Sequence, residues 1–196
     1  MKEKKAKLVI APTVALVFSW LMLTDRSGLV SVTLLAALLH ECGHILAARA
    51  LKIPFRKMRV DFMGARLEIG GRMLSYREEW LLAAAGPIAS LAFAALGGLL
   101  WQDSPLAVYF SCASLLLGLL NLLPIRSFDG GRMLEGALLA FFEERSVRRV
   151  LTVSSFLFLF LLWSISVYFL LRVGDGISLF FFSVSLFSRF FGNGGL

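Results

Sequence analysis

Apolar residues in this chain come in long blocks rather than at the spacing of amphipathic helices or half-buried strands. A helix that crosses a bilayer needs about 20 consecutive apolar residues. Charge-poor runs near that length occupy 8–23, 29–51, 80–101, 106–125 and 150–171. A sixth run, 177–191, is shorter and carries Arg189; its many Phe residues suit either a span with a snorkelling end or a helix lying at the interface. Between the second and third runs, 53–75 is neither a span nor a polar linker. It reads Val60-Asp61-Phe62-Met63-Gly64-Ala65-Arg66-Leu67-Glu68-Ile69-Gly70-Gly71, with strand-like alternation around a glycine turn. Two readings stand: an irregular loop, or a β-hairpin at the membrane face whose backbone is covered by protein or water. The expected fold is an all-α polytopic membrane protein with about six transmembrane helices and a small membrane-associated β-hairpin between the second and third. It is expected to form one domain over 1–196.

Composition narrows the class. The chain is 58% hydrophobic and 17% charged, against about half and a quarter in soluble domains, which excludes an ordinary soluble protein. The net charge of +7 would suggest nucleic acid in a soluble chain, but in a bilayer basic residues report topology. With a cytosolic N-terminus and six crossings, every Lys and Arg except Arg26 and Arg172 falls on the cytosolic side. The expectation is therefore a multi-pass cell-membrane protein with both termini cytoplasmic, surrounded by lipid, with no nucleic-acid partner. The start Lys2-Glu3-Lys4-Lys5-Ala6-Lys7 before an apolar run also fits a signal peptide. No small-x-small cleavage site follows Leu23, so a retained span is preferred. The two cysteines, Cys42 and Cys112, have no paired spacing and give no disulfide framework; each reads as a small apolar filler.

The second run contains His40-Glu41-Cys42-Gly43-His44, the H-E-x-x-H pattern of zinc peptidases, and these are the only two histidines in the chain. On a helix, residues four apart lie about 40° apart around the axis. Both imidazoles can therefore face one metal ion while Glu41 beside them reaches its water. Two His and a Glu inside an apolar span are costly to bury and mark function. A catalytic zinc takes three protein ligands, and with no third His a carboxylate must complete the set. Asp61, Asp103, Asp129 and Glu135 are among the candidates. Asp129 stands out because it follows Asn121-Leu122-Leu123-Pro124-Ile125-Arg126-Ser127-Phe128 and precedes Gly130-Gly131. Pro124 breaks the helix and the glycines let the chain turn, so a carboxylate can sit at membrane depth. The other reading of Asp129 is an N-cap for a helix over 131–144.

Together His40-Glu41-Cys42-Gly43-His44, Ala85-Gly86-Pro87 at the opening of the third run, and Asn121-Leu122-Leu123-Pro124 followed by Phe128-Asp129-Gly130-Gly131 resemble the site-2 protease family of intramembrane metallopeptidases. Within it they are similar to the sporulation branch, which processes a membrane-associated pro-sigma factor. The resemblance implies Zn2+ held by His40, His44 and Asp129, Glu41 as the catalytic base, and Asn121 near the substrate backbone. Gly64 in the hairpin region and Pro124 join Asn121 as implied substrate-binding residues, the hairpin pairing with an extended substrate by strand addition. A membrane-associated protein substrate, and an inhibitory or activating membrane partner, come with the same resemblance. Two departures bear on it. Ser127 and Phe128 stand where family members often carry Pro and Leu, and the chain reaches Leu196 without a CBS or PDZ domain, so ATP sensing and PDZ gating are not expected.

A metal transporter is the rival class, since it also places His and acidic residues in the membrane. It would spread them along a path rather than gather them in one motif. Without the resemblance, Asn121 reads as a polar residue bonding across helices. The cluster from Glu143 to Arg149 reads as a cytosolic anchor or a substrate-docking patch, and Glu78-Glu79 as carboxylates favouring a helix N-terminus.

Overall fold

Helix ends in this chain are set by proline, serine and glycine, and they depart from the apolar runs in several places. The computed structural model describes residues 7–10, 12–53, 55–61, 64–69, 73–100, 104–172, 174 and 176–192. Asp103 and the Gly70-Gly71 pair lie outside the described residues. Two units are distinguished, Met1–Leu120 and Asn121–Leu196. Among the described residues, three helices are long and apolar enough to cross a membrane, Leu29–Ala50, Tyr76–Leu99 and Glu144–Arg172; Pro105–Asn121 and Ile177–Gly192 are shorter apolar helices.

In the first unit the run 8–23 is not one continuous helix. Pro12 opens α1 (Pro12–Thr24), where its missing N–H is one no helix would use. Upstream, Lys7–Ile10 forms β1, a strand the sequence reading did not anticipate. It pairs parallel with β2 (Phe55–Asp61), and β2 pairs antiparallel with β3 (Gly64–Ile69), Asp61 standing opposite Gly64. At 13 residues, α1 rises about 20 Å, less than the hydrocarbon core of about 30 Å.

The next helix, α2 (Leu29–Ala50), starts after Gly28 in the left-handed region, φ 76°. Its first N–H groups are met from upstream: Val30 N–H donates to Asp25 Oδ2 at 2.8 Å and Leu29 N–H to Ser27 Oγ at 3.3 Å. The Ser27 hydroxyl above all, then the Val30 and Ser27 amides, hold the Asp25 carboxyl below the usual carboxylate range. Ala36, His40, Gly43, His44 and Ala48 make the buried stripe of α2, recurring every three or four residues as one helix face requires. That face meets α3 (Tyr76–Leu100) almost backbone to backbone: a Cβ on Gly43 would stand 2.5 Å from Ala85 O and 2.8 Å from Ala89 Cβ. Small residues at a helix contact in an apolar setting permit this approach.

The third run was expected to begin at residue 80, but α3 begins at Tyr76. Ser75-Tyr76-Arg77-Glu78 is a capping box: Glu78 Oε2 accepts from Ser75 N–H and Ser75 Oγ, each at 3.0 Å, and Glu78 N–H donates to Ser75 Oγ at 3.3 Å. Ala85-Gly86-Pro87 therefore lies inside α3, not at its opening. Lacking an N–H, Pro87 leaves Ala83 O without its usual helical donor. α4 (Pro105–Asn121) packs on the same helix; a Cβ on Gly118 would stand 3.1 Å from Ser90 Cβ.

In the second unit, α4 has ended at Asn121, short of the expected 125. The residue before a proline avoids helical geometry, and Pro124 cannot donate to a ladder. After the non-helical stretch 122–128 come α5 (Asp129–Leu139), α6 (Glu144–Arg172) and α7 (Ile177–Gly192). α5 both starts and stops earlier than the expected 131–144, and α6 absorbs the Glu144 to Arg149 cluster, with Arg148 paired to Glu144 at 2.8 Å on its exposed side. α6 and α7 share a buried contact between Ser166 Oγ and Ser183 Oγ at 3.1 Å, and Phe156 meets Phe187 edge-on at 6.3 Å.

The lowered Asp25 pKa has a signed consequence. The carboxylate supports the start of α2 at neutral pH, and that support is lost as pH falls below the ordinary value of 3.8 towards the lower folded one. Hydrogen exchange at Val30 and Ser31 is expected to accelerate, relative to mid-α2 amides, over that acid range. In Asp25→Asn the added pH dependence should be absent.

Candidate metal centre

His40 and His44 are both buried on α2, their rings edge to face with centroids 5.0 Å apart. Each is fixed through Nδ1 by α3. His44 Nδ1 lies 2.8 Å from Leu82 O; a carbonyl only accepts, so Nδ1 carries the proton and Nε2 keeps its lone pair. His40 Nδ1 lies 2.9 Å from Ser90 Oγ, a hydroxyl able to accept a proton in the same way. The two Nε2 atoms then face each other at 3.3 Å. Two nitrogens about 2.0–2.1 Å from one tetrahedral zinc ion stand about 3.3–3.4 Å apart, so the pair fits a zinc ion without rearrangement. Outer partners that fix tautomer and ring orientation are the usual accompaniment of a ligating His.

Gly86 makes the room. A Cβ there would stand 2.7 Å from His40 Nε2 and closer still to His44 Nε2. Glu41 is half-buried beside His40, while Cys42 is exposed on the far side of α2.

Asp129 is buried as the first residue of α5. Phe128 occupies the N-cap and makes no side-chain cap bond, so Asp129 is not the N-cap that its position also allowed. Its carboxylate still benefits from the positive end of the helix, and Arg132 NH1 lies 3.9 Å from Oδ1. Gly130 and Gly131 are needed for closeness rather than for turning, since neither has a positive φ. A Cβ on Gly130 would meet Leu122 O and lie 2.6 Å from Leu123 O; one on Gly131 would meet Ile125 O and lie 2.9 Å from Arg126 Cα.

Among the described residues, His40, His44 and Asp129 form a group of possible metal ligands whose ligand atoms all lie within 4.8 Å of one another. Two nitrogens and one carboxylate oxygen are a donor set that zinc accepts. Asp61 ends β2 and Glu135 lies on α5, outside that group. Asn121 is half-buried at the end of α4, Pro124 is half-buried in the stretch after it, and Gly64 begins β3; they belong to three different segments. Ser90, the Leu82 carbonyl and the steric role of Gly86 were not read from the sequence. The Ala85-Gly86-Pro87 string was the available signal for the last.

Within the chain, then, His40, His44 and Asp129 are each buried and together offer two imidazoles and one carboxylate as possible metal ligands. The family model of Peptidase family M50 matches residues 100–165, the stretch that holds Asn121, Pro124 and Asp129. A Mycobacterium tuberculosis protein named as a zinc metalloprotease, Rip3, is 34% identical over 119 residues in both the Erdman and H37Rv strains, covering 55% of this chain. The chain spans 30% of the length of those relatives. The fold is similar to that of the site-2 protease from Methanocaldococcus jannaschii, with a TM-score of 0.64 at 21% identity, over 95% of this chain and 89% of that one. Residues 100–165 thus resemble Peptidase family M50, and the chain shares the fold of a site-2 protease.

Removing the Ser90 hydroxyl takes away an outer partner of His40. Ser90→Ala is expected to weaken zinc binding about 10–100-fold, read by chelator competition on the purified protein, and Gly86→Ala, which crowds both nitrogens, is expected to weaken it further.

Proposed function

We propose that the chain is an intramembrane zinc metallopeptidase that hydrolyses a peptide bond in or near a transmembrane segment of a membrane-associated protein. The observation that carries this reading is the buried His40–His44 pair, its Nε2 atoms 3.3 Å apart on an apolar helix, with Glu41 next in sequence. His40, His44 and Asp129 are the ligands in this reading. A zinc ion held by them would supply Lewis acidity, lowering the pKa of a water towards about 7.

The rest falls to the protein's own groups. Glu41 accepts the proton of the attacking water and returns it to the departing amine. The Asn121 amide donates a hydrogen bond to the carbonyl oxygen as that oxygen gains charge, and Pro124 keeps the adjoining backbone out of a helix, next to where substrate lies. A helical peptide bond is already hydrogen-bonded, so the substrate must be drawn out before attack. The edge that starts at Gly64 offers an extended segment a strand to pair with.

The distribution of Lys and Arg supports six crossings with both termini cytoplasmic. Membrane-associated regulatory proteins, pro-sigma factors among them, are the substrate class in this reading, and an inhibitory or activating membrane partner goes with it.

The test is reconstitution of the full chain with single-span and pro-sigma candidates. Glu41→Gln should keep its zinc and lose about 10²–10⁴-fold in cleavage rate. A fully active variant would sink the proposal, and zinc uptake into vesicles without any peptide cleavage would assign the site to transport.

A further inference from the structure

The non-helical stretch 122–128 ends one residue before Asp129, and two consecutive serines of α6 hold it. Ser154 Oγ donates to Pro124 O at 2.9 Å, sharing its proton with Leu151 O at 3.1 Å, and Arg126 N–H donates to Ser155 Oγ at 2.9 Å. Ile125 between them is buried, and Ser155 is fully buried. Inside an apolar bundle a carbonyl and an amide that leave a helix ladder need partners. Here Ser154 provides a donor and Ser155 an acceptor, about 100° apart around α6, to two backbone positions two residues apart.

On its other side the stretch is pressed by α5. Gly130 and Gly131 are so close to the carbonyls of Leu122, Leu123 and Ile125 that no side chain fits between. Two short turns complete it, Ile125 N–H donating to Leu123 O at 2.7 Å and Phe128 N–H to Ile125 O at 2.8 Å. Only Ser127 and Phe128 separate Arg126 from Asp129, so fixing the Arg126 amide restricts where the Asp129 carboxylate can go.

We infer that Ser154 and Ser155 are positioning residues for the metal centre, setting the Asp129 carboxylate through the backbone of 124–126 without touching the ion. This rests on the reading of Asp129 as a ligand. A serine pair that only stabilised the bundle would behave like Ser166, which lies on the same helix, is equally buried and spends its hydroxyl on Trp163 O and Ser183.

The experiment uses the full chain in detergent, with zinc Kd from chelator competition and thermal stability of the zinc-free protein measured in parallel. Ser155→Ala is expected to raise the zinc Kd about tenfold or more, and Ser154→Ala by less, because its partner is a carbonyl that a water can satisfy. Ser166→Ala should lower stability while leaving the zinc Kd within about twofold. Ser154→Ala, half-buried, keeps the inference open to refutation if Ser155→Ala does not fold. A wild-type zinc Kd in both the Ser154 and Ser155 variants, with Asp129→Asn weakened, overturns the positioning role alone. A wild-type Kd in Asp129→Asn overturns the ligand reading and the inference with it.

Discussion

Two imidazoles inside an apolar bundle can be held only if every nitrogen has something to do. An unpartnered polar group in such surroundings costs several kcal/mol, and His40 and His44 avoid that cost by splitting their nitrogens between two tasks. Nδ1 of each is tied to α3, through Ser90 and the Leu82 carbonyl, and Nε2 of each keeps a lone pair that a shared metal ion would take up. The requirement propagates outward. To reach a main-chain carbonyl on the neighbouring helix the imidazoles need α2 and α3 nearly in contact, which is why Gly43 meets Ala85 and Ala89 and why the stripe of α2 is otherwise alanine.

The carboxylate side of the centre obeys a different constraint. Asp129 opens a helix rather than sitting within one, and the chain before it cannot use a ladder because of Pro124. The second unit solves this by side chains of α6 and by glycine closeness on α5. The spacing between the two histidines is thus set by one helix, with α3 fixing the orientation of their rings, whereas the position of the aspartate itself depends on tertiary contacts made about 30 residues away.

That difference decides what could be read in advance. His40, Glu41 and His44 were legible because their relation is a four-residue helical spacing that needs no knowledge of neighbours. Asp129 stood out among the carboxylates by its setting between Pro124 and Gly130-Gly131, but the ligand and N-cap readings both stood until the family resemblance favoured the ligand, since its partners in the fold are distant in sequence. Ser90 and Ser155 were invisible for the same reason: they stand 50 and 29 residues from the groups they serve. Helix ends were misplaced where apolar content was followed instead of local chemistry. Ser75-Tyr76-Arg77-Glu78 announced the start of α3 four residues before the apolar run, and Pro12 and Pro124 marked where the first and fourth runs stop being helical. The strand at Lys7–Ile10 was hidden because its pairing partner lies beyond two intervening helices.

Gly86 also gives the centre a handedness of access. With no more than a hydrogen atom of α3 fitting against the two Nε2 atoms, that flank of the imidazoles is a closed wall of main chain. In the proposed reading, a water or an incoming carbonyl would reach a bound metal ion from the opposite side of the His pair. The direction of approach is therefore set before any substrate is present, by the one residue that contributes no side chain at all.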